Sequence, residues 1–122
     1  MGKKTITGTK NVYELAQERL KVIFNEFDNI YVSFSGGKDS GVLLNMCIDY
    51  IRRNNLKIRL GVFHMDYEIQ YKMTIDYVDR ILEANKDILD VYRVCVPFRV
   101  STCTSMYQSF CCLLYTSDAA DD

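Results

Sequence analysis

The sequence predicts an α/β fold, a parallel sheet with helices on both faces, and three observations predict it. Helix-like and strand-like patterns alternate without a linker or repeat. The strand-like runs are short, apolar, β-branched and aromatic, as in strands buried on both sides. A glycine pair joins the first of them to an amphipathic helix, the connection by which open α/β sheets present a ligand site at the carboxyl ends of their strands.

Asn11 followed by Glu14 predicts a capping-box start to a first helix, along which Val12, Leu15, Ala16, Leu20, Ile23 and Phe27 recur at helical spacing. Asp28-Asn29 breaks it. Ile30-Tyr31-Val32, with Phe34, is the first strand. After the glycines, Val42, Leu43, Met46, Cys47, Tyr50 and Ile51 form the apolar face of a second helix that Arg52, Arg53 and Asn54 end in solvent. Ile58 to Met65 is the second strand, with Asp66 at its C-terminal edge. Ile75, Val78, Ile81 and Leu82 mark a third helix ending near Asn85-Lys86. Leu89 to Val96 is the third strand, terminated by Pro97.

The 122 residues, 48% of them hydrophobic, suffice for one small domain with a core. Cys112-Leu113-Leu114-Tyr115-Thr116-Ser117-Asp118-Ala119-Ala120-Asp121 matches the translation of a transposase-end adapter used in DNA library preparation. With Asp122 this stretch is set aside as a cloning or assembly scar. Residues 1–111 are then expected to be the N-terminal part of a single domain whose natural chain continues. The formal charge of −1 reflects 15 basic and 16 acidic residues; three of the acids lie in the scar, and 15 against 13 leaves +2. That balance suits an anionic ligand without demanding nucleic acid. No run of about 18 apolar residues is available to span a membrane, and Met1-Gly2-Lys3-Lys4-Thr5 is not followed by an apolar signal segment, so the chain is placed in the cytoplasm. Ile6 stands where N-myristoylation wants Ser or Thr. Cys47, Cys95 and Cys103 make no C-x-x-C pair or zinc spacing and read as reduced, mostly buried thiols.

The informative stretch is Ser33-Phe34-Ser35-Gly36-Gly37-Lys38-Asp39-Ser40. Gly36 and Gly37 can take φ > 0 without a Cβ clash, so successive N–H groups can turn toward one anion, and the first-turn amides of the following helix add to them. It is not a Walker A loop: Asp39 follows Lys38, and no glycine stands five positions before Gly37.

The string resembles the SGG-x-DS signature of the PP-loop superfamily, the ATP pyrophosphatases and phosphoadenosine phosphosulfate (PAPS) reductases. Ser35, Gly36, Gly37, Asp39 and Ser40 all fit. Over roughly residues 11–110, the text Tyr31 to Ser40, His64-Met65-Asp66-Tyr67-Glu68 and Val94-Cys95-Val96-Pro97-Phe98 is most similar to the PAPS reductase family, especially the branch with immunoglobulin-binding regulator A-type proteins. The resemblance implies an adenine nucleotide alpha hydrolase-like fold, here truncated, and an adenine nucleotide, PAPS or ATP, as ligand. Gly41 departs from the Ser or Thr often found after the Asp-Ser pair.

By chemistry, the amides of Gly36, Gly37 and Lys38 and the hydroxyls of Ser33, Ser35 and Ser40 are the candidate donors to a phosphate or phosphosulfate, and Lys38 is a point charge for the leaving group. Asp39 either holds a magnesium ion or fixes the loop by accepting its amides. The resemblance implies that the loop after the second strand borders adenine and ribose, which makes Asp66, Tyr67 and Glu68 the second candidates; a cap on the third helix is the alternative for Asp66. Arg99, Ser101, Thr102 and Thr104 are further candidates for the anion site. No base or nucleophile is evident. His64 reads as a packed core residue, and the resemblance puts a reductase's catalytic cysteine in a C-terminal segment beyond this sequence.

Arg52, Arg53, Lys57 and Arg59 read as a solvated face rather than a nucleic-acid patch, and the nine tyrosines form no ordered stacking platform. Three functions follow for the parent protein. It is a PAPS reductase-like enzyme working with a thiol reductant or protein partner, an ATP pyrophosphatase that adenylates a substrate for sulfur transfer, or a non-catalytic nucleotide-binding transcription co-activator.

Overall fold

A computed structural model describes residues 8–67, 70–95, 99–101, 106–107 and 110–112. Its elements are α1 (Val12–Glu26), β1 (Tyr31–Ser33), α2 (Lys38–Arg53), β2 (Leu60–Asp66), α3 (Lys72–Ala84), β3 (Leu89–Cys95), β4 (Arg99–Ser101) and β5 (Phe110–Cys112). Strands β1, β2 and β3 form a parallel sheet in that order, joined by α2 and α3, the predicted α/β class; among the described residues both connecting helices pack on the same face, so the expected cover of both faces is seen on one, as two crossovers of the same hand between successive neighbouring strands require. The antiparallel pair β4–β5 was not anticipated, and β5 runs one residue into the segment set aside as adapter-derived. Glu68, Val96 to Phe98, Thr102, Cys103, Thr104 and residues 113–122 lie outside the described residues.

The capping box forms as expected: the Asn11 side chain accepts from the Glu14 amide at 2.8 Å, and the Glu14 carboxylate accepts from the Asn11 amide at 3.0 Å. Asn85 ends α3, its amide bonded to the Leu82 carbonyl.

Register fixes the core. Val32 and Val91 flank Val62, and Leu60 pairs with Leu89; because side chains alternate, Val32, Phe34, Leu60, Val62, His64 and Leu89 share one face. Onto that face pack Leu44, Cys47, Ile48 and Ile51 of α2 and Val78 and Leu82 of α3. Leu20 of α1 joins the cluster, and the Phe24 ring stacks on Tyr50 at 5.0 Å. Each of the fully buried side chains, such as Leu44 or Val62, contributes roughly 1.5–3 kcal/mol of transfer free energy. Tyr31 and Tyr92 lie on the other face, exposed, with the Tyr31 ring over Gly61.

The buried stripe of α2 is rotated from the predicted one. Leu44 and Ile48 are buried, whereas Val42 and Leu43 are largely exposed. Apolar residues surround much of this helix, so spacing alone allows more than one phase, and contact with Val32, Phe34 and Val62 selects the 44/47/48/51 stripe. Burial pushes the Cys47 thiol up to about 11, so it stays protonated at neutral pH; Cys95 is exposed.

At the end of the sheet away from the glycine loop, the arginines are engaged within the domain. Arg52 donates to both Asp87 oxygens and to Asn85, Arg53 pairs with Asp49, and Arg59 binds Asp90 and the carbonyls of Lys86, Asp87 and Leu89. The Arg52 guanidinium holds the Asp87 carboxyl below the usual carboxylate range. These pairs are exposed and screened by solvent; those of Arg52 and Arg59 tie the end of α2 and the start of β2 to the turn before β3, while Arg53 pairs within its own helix. No helix among the described residues is long and apolar enough to cross a membrane.

Candidate anion site

The loop leaves the sheet after Phe34, whose amide still donates to the Phe63 carbonyl at 2.8 Å. Gly36 has φ +85°, the left-handed region that glycine enters without penalty. Gly37 does not. At φ −79° and ψ 169° it is extended and serves as N-cap of α2, so of the two glycines that could take positive φ only Gly36 does. What sets Gly36 apart is also space: a Cβ there would lie 2.8 Å from the Cγ2 atoms of both Thr74 and Val78, so α3 presses directly on the bend.

Ser35 and Ser40 hold the loop in shape. The Ser35 amide donates to Ser40 Oγ at 3.3 Å, the Gly37 amide donates to Ser35 Oγ at 3.2 Å, and the two hydroxyls lie 3.0 Å apart. Ser40 Oγ donates to the Gly37 carbonyl at 3.3 Å, so the proton between the hydroxyls belongs to Ser35. Both hydroxyl protons are thereby used inside the loop, and so is the Gly37 amide, which had been counted among the anion donors. Among the described residues, the amides of Gly36, Lys38, Asp39 and Ser40 have no protein partner. The last three are the orphan N–H groups of the first turn of α2, where the helix dipole favours an anion. Lys38 and Asp39 are exposed beside them. Free donors and one cation thus follow one another in the chain at the carboxyl end of β1, residue types suited to binding phosphate oxygens.

The remaining candidates are placed less closely. Ser33 is exposed on the sheet face opposite the core. Asp66 is half-buried at the end of β2, three residues beyond Phe63, the partner of Ser33, so β2 overhangs the mouth of the loop. Tyr67 follows it, exposed, and both make interactions of their own. Ser101 is exposed in β4.

Sequence reasoning missed two contributors. The His64 ring, buried as expected, bonds through Nδ1 to the Phe34 carbonyl at 2.6 Å, immediately before the loop. The other is Tyr77 of α3: a Cβ at Gly41 would lie 2.7 Å from Tyr77 Oη, so the tyrosine hydroxyl fills the place a side chain at 41 would take. A shallow groove of about 510 Å³ runs from Lys38 past Gly41 and Tyr77 to Asp49. Neither contact has a local signal, because both depend on which elements pack together.

The Gly41–Tyr77 contact gives a measurable expectation. Alanine in a helix interior gains about 0.5–1 kcal/mol over glycine, but here the clash with Tyr77 Oη cancels that gain. Gly41→Ala alone should leave urea stability unchanged or lower. In a Tyr77→Phe background it should recover roughly 0.5 kcal/mol or more, and strict additivity of the two changes would refute the contact.

Comparison with known proteins bears on this geometry. Residues 29–97, more than half of the chain, match the family model of the phosphoadenosine phosphosulfate reductase domain. The uncharacterized protein YbdN of Escherichia coli K12 is 36% identical over 99 residues, 80% of this chain and 24% of that protein. A tRNA(Ile)-lysidine synthase of Photorhabdus laumondii subsp. laumondii is 38% identical over 47 residues, 38% of this chain and 11% of that protein. The chain thus spans about a quarter of the length of YbdN. No solved structure matches.

Proposed function

Because the chain belongs to the phosphoadenosine phosphosulfate reductase domain family, we propose that it binds an adenine nucleotide whose phosphate or phosphosulfate sits in the Ser35–Ser40 loop. The supporting observation is the set of unpartnered amides at Gly36, Lys38, Asp39 and Ser40, beside the Lys38 ammonium and around one left-handed bend. Lys38 neutralises charge on the bound oxygens. Ser35 and Ser40 shape the loop and donate to the ligand only by rotating out of their mutual bond. Asp66 and Glu68, on the segment leaving β2, are the proposed contacts to the nucleoside. A magnesium ion carried on the phosphates would find one carboxylate in the loop, Asp39.

Within the family we place the chain in the branch of immunoglobulin-binding regulator A-type proteins and in the cytoplasm, with the reducing thiol supplied from outside the residues given. A second reading, an ATP pyrophosphatase that adenylates its substrate, draws on the likeness to the tRNA(Ile)-lysidine synthase. Assay of the full-length polypeptide separates them. Thiol-dependent sulfite release from PAPS supports the reductase, pyrophosphate release from ATP the second reading, and nucleotide binding without either product a regulatory module.

Lys38→Ala should weaken nucleotide binding by roughly tenfold or more in calorimetry, the scale of a charge-assisted hydrogen bond of about 1.5–3 kcal/mol. It should also flatten the salt dependence, because the lost charge is exposed. Equal affinity of the variant and the wild type would remove Lys38 from the site.

A further inference from the structure

His64 is the one polar or charged side chain that is fully buried among the described residues, at 3% exposure. It stands at the point where strand β1 stops. Ser33 pairs with Phe63, and the Phe34 amide makes the next ladder bond to the Phe63 carbonyl. Continuing a parallel ladder would then require the Met65 amide to reach the Phe34 carbonyl. That bond is absent, and the imidazole takes its place, with Nδ1 2.6 Å from Phe34 O. A buried carbonyl left bare costs about 1–3 kcal/mol, so the ring replaces the missing rung while freeing the main chain to turn. The carbonyl only accepts; Nδ1 therefore carries the proton. The next residue, Ser35, opens the hydroxyl network of the loop.

We propose that His64 is the positioning residue of the anion loop: its Nδ1–H ends strand β1 at Phe34 and sets the direction in which Ser35 to Ser40 leave the sheet. The inference rests on the reading of that loop as an anion site. Asparagine presents an amide N–H close to where Nδ1 stands, whereas leucine fills the space without a donor. The pair separates hydrogen bonding from packing.

The test uses the full-length polypeptide and inorganic pyrophosphate as probe. Nitrogen-15 spectra of His64 should show Nδ1 protonated, and a ring protonated only at Nε2 overturns the inference. By calorimetry, His64→Leu should lose roughly tenfold in pyrophosphate affinity, one unsatisfied carbonyl's worth, while His64→Asn stays within about threefold of wild type. Equal loss in both variants, or none in either, overturns it. If the wild type does not bind pyrophosphate, the anion reading itself falls, and the amide chemical shifts of Ser35 to Ser40 then decide: shifts displaced in His64→Leu and kept in His64→Asn support the positioning role, and equal displacement in both, or none in either, refutes it.

Discussion

Gly36→Val is expected to abolish nucleotide binding and to destabilise the domain by roughly 2–5 kcal/mol. Two costs combine. The left-handed backbone at φ +85° disfavours any side chain and a β-branched one most, at about 1–2 kcal/mol. The first side-chain atom would also lie 2.8 Å from methyl carbons of both Thr74 and Val78, and Val78 is buried with no room to retreat; such overpacking adds about 1–3 kcal/mol. The loop can relieve the clash only by moving off α3, which disperses the amides that face the ligand. Gly37→Val is the contrast. Its backbone is already extended and its Cβ would meet Ser35 Oγ at 3.3 Å and Ser40 Oγ at 4.0 Å, so it should disturb the serine network and lose affinity while costing less stability. Urea melts and calorimetry on both variants check this, and a Gly36→Val protein that melts and binds as wild type would remove the bend from the site.

Phe34→Ala should cost roughly 3–5 kcal/mol, the usual loss for truncating a buried aromatic side chain. The ring has no exposure, meets Tyr77 edge-on at 5.9 Å between centroids and lies 6.4 Å from the His64 ring. It thereby joins the end of β1 to α3 beneath the loop. Phe34→Leu keeps most of the volume and should cost less than about 1.5 kcal/mol. Denaturant midpoints measure the difference, and a loss below about 1 kcal/mol in the alanine variant would mean that the ring's surroundings collapse around the gap.

The element order was legible because local rules agree with tertiary placement: Asn11 and Glu14 cap what they flank, and the β-branched runs become strands of one parallel sheet. The tight connection after β1 was legible for the same reason, since a glycine pair between a strand and a helix marks a sharp turn of the chain, and the bend falls at Gly36. Equal weight for Gly36 and Gly37 was the natural reading, because sequence shows where φ > 0 is permitted and not where it is required. The phase of α2 was not legible, as Val42, Leu43, Leu44 and Ile48 compete until the sheet selects among them. The bond from His64 to Phe34 spans thirty positions and depends on register, and the fit of Tyr77 over Gly41 depends on how α3 lies against α2. Neither leaves a trace in local pattern.

With the hydroxyls of Ser35 and Ser40 already holding one another, a loop that captures an anion as proposed would take its shape before contact. Little conformational entropy is then lost on capture, and the encounter rate should follow diffusion and charge attraction rather than a slow rearrangement of the chain.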